Sequence, residues 1–209
     1  MKYKKLQKDF YLKPCLTVAK ELIGKQFVRI KGSTVYSGII TETEAYLGSL
    51  DAASHAYKGL TERNRFMFSE GGIAYVYFTY GCHYCINAVT GKAGKAHAVL
   101  IRSLEPVEGI EEMIKNRGTD NIYQLCSGPG RLTQAMSIGK NENGISLSSN
   151  EIFIAEPDVK SLHKITRTKR IGITKNADKM YRFIDSLSPF VSGVNYRKIL
   201  KEQNKAIGI

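Results

Sequence analysis

Two neighbouring runs constrain this chain more than any other feature: residues 73–79 (IAYVYFT) and 83–90 (HYCINAVT), joined through Tyr80-Gly81. Their β-branched and aromatic side chains lose rotamer freedom in a helix and pack well on a pleated surface. They predict a β-hairpin with Tyr80 near its tip. Further strands are expected at 26–31 and 34–46, separated by the turn signal Gly32-Ser33, and at 98–103, 151–155 and 165–173. Helical spacing predicts a short helix over 14–22, where Leu16, Ala19, Leu22 and Ile23 share a side and Gly24 closes the end. A second is expected over 106–115, with Val107, Ile110, Met113 and Ile114 on one side, and a third from Ser127-Gly128-Pro129-Gly130 to about residue 138. Residues 47–72 read as a long functional loop holding a short helix. Residues 1–13 read as a basic, poorly patterned and flexible lead, and the C-terminus as irregular. No internal repeat or linker divides the chain, so residues 1–209 are expected to form a single domain.

Apolar residues make up 43% of the chain along its whole length, which argues against disorder and fibrous repeats. No apolar run approaches a bilayer span, and the Lys-rich start lacks the apolar core of a secretory signal. A cytoplasmic protein is expected, at the nucleoid if the source is bacterial. Four cysteines, Cys15, Cys82, Cys85 and Cys126, are too sparse for a disulfide scaffold. Cys82 and Cys85 have redox or half-zinc spacing, but a strand sends residues three apart to opposite faces and no matching pair lies elsewhere. No metal site and no cofactor are expected. The 31 basic residues exceed the 19 acidic ones by 12, a balance that attracts polyanions without identifying one.

Residues 41–46 (TETEAY) end an otherwise apolar strand. A period of two puts Glu42, Glu44 and Tyr46 on one face and Thr43 and Ala45 on the other. Two such glutamates in an arbitrary strand are more often a solvated face or salt-bridge partners. Their surroundings raise the interest. His55 follows in the loop, Tyr75 and Tyr77 are co-facial, Tyr80 is at the hairpin tip, and Asn87 and Arg102 lie on later strands. Stacking rings, an imidazole, a carboxylate and a guanidinium suit a nucleobase held outside its helix and read along its edge.

Several segments together resemble the alkyladenine, or 3-methyladenine, DNA glycosylases of the mammalian type: residues 41–48 (TETEAYLG), Arg63-Asn64-Arg65 with Met67-Phe68, 75–81 (YVYFTYG), 99–109 (VLIRSLEPVEG) and 126–132 (CSGPGRL), in order between about residue 9 and Ser192. The resemblance implies a mixed α/β domain around a curved, largely antiparallel sheet with flanking helices and a protruding, DNA-inserting hairpin. It implies Glu44 as the base acting on water and Arg102 as its catalytic partner. Tyr46 and Tyr77 would sandwich the flipped base, His55 would border the pocket, and Asn87 would stand where normal guanine is excluded. Tyr80 would wedge into the duplex. Tyr75 is read as a core residue. Arg63, Arg65 and Arg170, with Lys164, Arg167 and Lys169, are natural phosphate contacts, though ordinary surface charge accounts for any one of them equally well. The implied partner is double-stranded DNA bearing damaged purines, bound by a monomer.

The chain departs from the family pattern at Tyr181-Arg182-Phe183, where Trp-Arg-Phe is common, at residues 69–72 (SEGG) and at Cys82 after the hairpin tip. Water is the expected nucleophile, since no lysine occurs in the Glu44 and Tyr77 segments, making the enzyme monofunctional. Two other readings fit the residues less well: an O-glycoside hydrolase using Glu42 and Glu44, and a non-catalytic binder of distorted DNA.

Overall fold

The computed structural model describes residues 3–159 and 162–193. In chain order its elements are α1 (Lys8–Leu12), α2 (Cys15–Glu21), β1 (Gln26–Lys31), β2 (Thr34–Leu47), β3 (Ala74–Thr79), β4 (His83–Thr90), β5 (His97–Glu108), α3 (Ile110–Arg117), α4 (Ile122–Leu125), α5 (Pro129–Ala135), β6 (Ile152–Ala155), β7 (Ile165–Thr168) and β8 (Arg182–Asp185). The strands form one curled sheet in the order β3-β4-β5-β2-β1-β6, with β8 on β2 and β7 on β8, and every pairing is antiparallel. The expected mixed α/β architecture is observed.

β2 organises the sheet. One edge pairs with β5 along nearly its whole length. The other edge pairs first with β1, from Thr34 to Ile39, and then with β8 at Glu42, Thr43 and Glu44. Register shifts between Ile40 and Thr43 mark the changeover, as expected where a strand bends and re-aims its side chains. Across the gap, Ile40 bonds with the chain leaving α2, donating to the Lys25 carbonyl and accepting from the Gly24 N–H, both at 2.8 Å. Beyond the bulge the alternation holds. Thr43 turns to the helical side and donates to the Ala19 carbonyl of α2 at 2.7 Å, while Glu42 and Glu44 face the other way.

The core joins Val18, Ala19 and Leu22 from the α2 region, Met113 from α3 and Leu132, Ala135 and Met136 from the α5 region to Ile40, Ala45, Ile86, Val99 and Ile101 of the sheet. Four expectations are corrected. The N-terminal lead is packed from Tyr3 onward: Leu6 and Tyr11 are buried and α1 occupies part of it. The strand expected at 98–103 runs on to Glu108, and α3 begins only at Ile110, because Gly109 adopts φ +75° and separates strand from helix. β7 stops at Thr168. Residues 182–185, within the supposedly irregular C-terminal part, form β8; four residues of alternating pattern are too short a signal without their partner β2. The remaining C-terminal residues lie outside those described.

The loop after β2 turns at Gly48, whose φ is +55° and where an added Cβ would lie 2.4 Å from the Lys95 carbonyl oxygen. Gly48→Ala is therefore expected to cost about 2 kcal/mol, lowering the melting temperature by roughly 4–8 °C for a chain of this size. Thermal unfolding checks this, and an unchanged midpoint would contradict the reading.

Candidate active site

Cross-strand register assembles the site. Tyr75 pairs with Asn87, Asn87 with Leu100 and Leu100 with Glu44, so residues distant in sequence form one row across four strands. Tyr77 pairs with Cys85, and Arg102 lies two residues beyond Leu100 on the same face. Above these rows opens a cavity of about 280 Å³, lined among others by Tyr46, His55, Tyr75, Tyr77, Asn87 and Arg102. It lies just below the usual ~300–1,000 Å³ of small-molecule sites, suiting one ring system better than an oligosaccharide.

Glu44 is fully buried and lies behind the cavity wall rather than in it. Its Oε1 accepts the Ile171 amide at 2.8 Å. Its Oε2 accepts the Tyr46 hydroxyl at 2.8 Å and Arg102 Nη1 at 3.4 Å. All three partners line the cavity. Burial pushes the Glu44 carboxyl above its ordinary value, outweighing the opposing pull of Arg102 and the two hydrogen bonds. A raised carboxyl pKa makes a stronger base once the proton is gone.

Glu42 has a different environment. Its Oε1 accepts Arg102 Nε at 2.9 Å and Arg182 Nε at 2.6 Å, and its Oε2 accepts the Ser103 hydroxyl at 2.9 Å and the Ser192 amide at 2.8 Å. Burial opposes ionisation here too, but Arg102 and Arg182 prevail and hold Glu42 below the ordinary carboxylate range. The carboxylate is fully occupied, leaving no second free acid beside Glu44.

The other expected residues separate. Tyr46 and Tyr77 line the cavity, and burial raises both hydroxyls. His55 packs edge-on to Tyr77 with centroids 4.5 Å apart, and its Nδ1 lies 3.0 Å from the Tyr75 hydroxyl. Burial and then Arg63 lower its pKa, so the imidazole is neutral at pH 7. Tyr75, read as core, is both buried and part of the wall. The Asn87 side-chain Nδ2 donates to the Tyr75 carbonyl at 3.0 Å, and the residue also lines the cavity. Tyr80 is 83% exposed at the end of the β3–β4 hairpin with φ +52°, a strained conformation for an aromatic residue. Arg63 donates to the Phe78 carbonyl at 3.1 Å, and exposed Arg65 pairs with Glu62.

Arg170 is a correction. Its side chain is wholly buried and forked onto Asp51, so it presents no charge to solvent and cannot be a surface phosphate contact. Arg182, Asp51, Ser192 and the Ile171 amide are site components that sequence reasoning missed. The signal available for Arg182 was its place in Tyr181-Arg182-Phe183. A backbone N–H leaves no trace in sequence. Cys82 is exposed at the hairpin tip, Cys85 is buried against the cavity, and Cys15 and Cys126 are buried; all four are free thiols. Among the described residues no group of three or more His, Cys, Asp or Glu could hold a metal ion, and no helix is long and apolar enough to cross a membrane.

A buried carboxylate with a raised pKa thus stands behind an aromatic cavity of about 280 Å³. In comparison with known proteins, residues 9–189 match the family described as methylpurine-DNA glycosylase. A Chlorobium phaeobacteroides protein is 50% identical over 90% of this chain and 96% of its own length. Relatives from Methanoculleus marisnigri and Francisella tularensis are 46% and 44% identical, over 88% and 85% of this chain and 96% and 93% of theirs. All three carry the provisional name 3-methyladenine DNA glycosylase. The chain belongs to the methylpurine-DNA glycosylase family and is a DNA glycosylase, a DNA-binding repair hydrolase of N-glycosyl bonds.

Glu42→Gln leaves two buried guanidinium groups facing an uncharged amide. It is expected to cost about 3–5 kcal/mol at neutral pH. Because the folded-state pKa of Glu42 is lowered, its contribution is present above the unfolded value of ~4.3 and is lost as pH falls through the folded value. The difference in melting temperature from wild type should narrow as pH falls below that unfolded value. A constant difference across this range would contradict the ionic reading.

Proposed function

We propose that this enzyme is a monofunctional glycosylase that flips alkylated or deaminated purines, 3-methyladenine among them, out of duplex DNA and hydrolyses their glycosidic bond with Glu44 as base. The single observation carrying this reading is that all three groups bonded to Glu44 also line the aromatic cavity. A water on that wall, between Arg102 and the sugar of a seated nucleotide, is within reach of a carboxylate whose burial has made it basic. Contacts of this kind tighten when substrate fills the site.

Rupture of the bond leaves positive charge on the sugar and gives the electron pair to the departing base. An alkylated purine is already cationic and leaves as a neutral molecule. A deaminated purine leaves with the help of a proton or a hydrogen bond, which we assign to a cavity water or a second polar group on the wall. As the oxygen of water bonds to the sugar C1′, Glu44 takes its proton and its charge stabilises the developing cation. Arg102 keeps Glu44 oriented. Tyr46 and Tyr77 take the base between them, His55 borders it, and Asn87 opposes the amino group of normal guanine. Tyr80 enters the duplex in place of the extruded base, a role consistent with the exposure and strain of its ring. Arg63 and Arg65 contact backbone phosphates, and the excess of 12 positive charges draws a monomer to DNA.

Among the described residues no lysine lines the cavity, which supports water as the nucleophile. Borohydride treatment should therefore trap no Schiff base with abasic DNA; a trapped adduct would contradict a monofunctional mechanism. The O-glycosidase alternative needs two working carboxylates, and the saturation of Glu42 speaks against it.

Glu44→Gln should lower single-turnover excision from a duplex bearing one hypoxanthine by about 10²–10⁴-fold, with binding to the same duplex retained. Undiminished excision would remove Glu44 from the mechanism, while a wild-type enzyme that binds but releases no base would favour the non-catalytic binder. In wild type, kcat/KM should fall as pH falls through the Glu44 pKa, and burial places this limb above the ordinary carboxylate value. An acid limb at that ordinary value would contradict a buried base.

A further inference from the structure

Arg170 and Asp51 form a buried ion pair at the rear of the cavity. Their side chains are 0% and 1% exposed. The guanidinium is forked: Nη2 donates to Asp51 Oδ1 at 2.8 Å, and Nη1 donates to Asp51 Oδ2 and to the Ala45 carbonyl, the latter at 2.9 Å. Its plane also serves two rings, lying 4.6 Å from the Tyr46 centroid and 5.3 Å from that of Tyr181. Tyr46 lines the cavity and Arg170 does not, so the cation braces the tyrosine from outside the cavity.

Both partners extend the brace along the chain. The Asp51 carboxylate accepts the Ala53 amide at 3.2 Å and the Leu47 amide at 3.4 Å, and its carbonyl accepts the Ser54 amide at 2.8 Å. These bonds shape the turn that delivers His55. The residue after Arg170 is Ile171, whose amide donates to Glu44 Oε1 at 2.8 Å. One ion pair thus bears on the Tyr46 ring, the His55 loop and a hydrogen bond to Glu44.

We infer that Arg170 and Asp51 are positioning residues for base excision: their buried pair sets the Tyr46 wall and holds the Ile171 amide on Glu44, so that base pocket and base catalyst are assembled as one unit. The inference rests on the glycosylase reading above and deepens it. Neither residue touches the nucleotide. Lysine cannot substitute, since a single ammonium lacks the planar fork that meets two carboxylate oxygens and a carbonyl while stacking on rings. Asp51→Asn keeps the shape of the acceptor but removes the charge that holds the fork in place.

The test compares wild type, Arg170→Lys and Asp51→Asn on duplexes with one hypoxanthine or one 7-methylguanine. Excision is measured at saturating enzyme, with melting temperature and salt-dependent affinity for an abasic duplex as controls. Both variants, assayed where they are folded, should excise on the order of 10²-fold more slowly, the usual effect of a reacting group displaced by about 1 Å. Affinity for the abasic duplex and its salt dependence should stay at wild-type values.

A merely structural role would not move the pH profile. Glu44 faces Arg102 from β5, Glu42 and Tyr46 from β2, Cys85 from β4 and Arg170 from the loop after β7. Loosening Tyr46 and the Ile171 amide removes two donors from its charged form, so the acid limb should shift to higher pH in both variants. Wild-type rates with only a lowered melting temperature would overturn the inference in favour of simple stabilisation. An unchanged rate with a salt slope reduced by about one, in the Arg170→Met, Asp51→Leu double variant that removes the cation, would instead restore Arg170 as a phosphate contact. If a lone buried charge prevents folding, the double variant Arg170→Met with Asp51→Leu removes both charges and is expected to fold; the same slow rate must then appear, and a wild-type rate overturns the inference. Wild type that releases no base would bring down the glycosylase reading itself, an outcome separate from an active wild type with equally active variants.

Discussion

Arg102 joins two buried carboxylates of opposite character, and the site depends on that junction. Nε bonds to Glu42 at 2.9 Å and Nη1 to Glu44 at 3.4 Å. Two carboxylates two residues apart on a buried strand face repel each other and lose their hydration, a cost that Glu44 or Glu42 alone cannot offset. Arg182 supplies the second cation, so that two carboxylates and two guanidinium groups share the space at the bend of β2. The division is unequal. Glu42 takes the stronger partners and remains a fixed anion, while Glu44 keeps weaker ones and is left with a raised pKa. The same residue type is thereby held ionised in one position and pushed toward its protonated form in the other.

This arrangement needs the bend. Had β2 stayed paired with β1 along its whole length, β8 could not approach, and Arg182 would not reach Glu42. Register shifts in the β2–β5 pairing between Ile40 and Thr43 coincide with the point where the other edge of β2 leaves β1 and meets β8. The Ile171 amide and Arg170 reach the outer side of the site from the chain between β7 and β8. The residues proposed for catalysis thus lie where the sheet changes partners, on strands that hold them in place, and the aromatic wall is carried by β3 and the end of β2.

The hairpin carries the other cost. Tyr80 adopts a positive φ that a bulky residue seldom holds without compensation, and most of its ring is in solvent. Burial of the ring does not repay this strain within the protein. It is consistent with a contact made only when DNA is bound, and it places the strained residue beside the cavity it helps to line.

The sequence by itself determined seven of the eight strands, though not every end of them, because alternation and β-branched composition are local signals. It also determined the shared face of Glu42, Glu44 and Tyr46, since a period of two needs no partner strand. It marked Tyr80 as the end of a hairpin, and the family pattern singled out Glu44. Tertiary structure alone decided which glutamate is saturated, since Arg102 and Arg182 are 60 and 140 residues away from Glu42. It decided that Arg170, indistinguishable in sequence from its basic neighbours, is buried against Asp51, 119 residues earlier. It also packed the N-terminal lead and formed β8, whose short run of alternation becomes a strand only beside β2. Charge and periodicity are written locally, whereas burial, hydrogen-bond saturation and pKa depend on groups that only folding brings within a few ångströms.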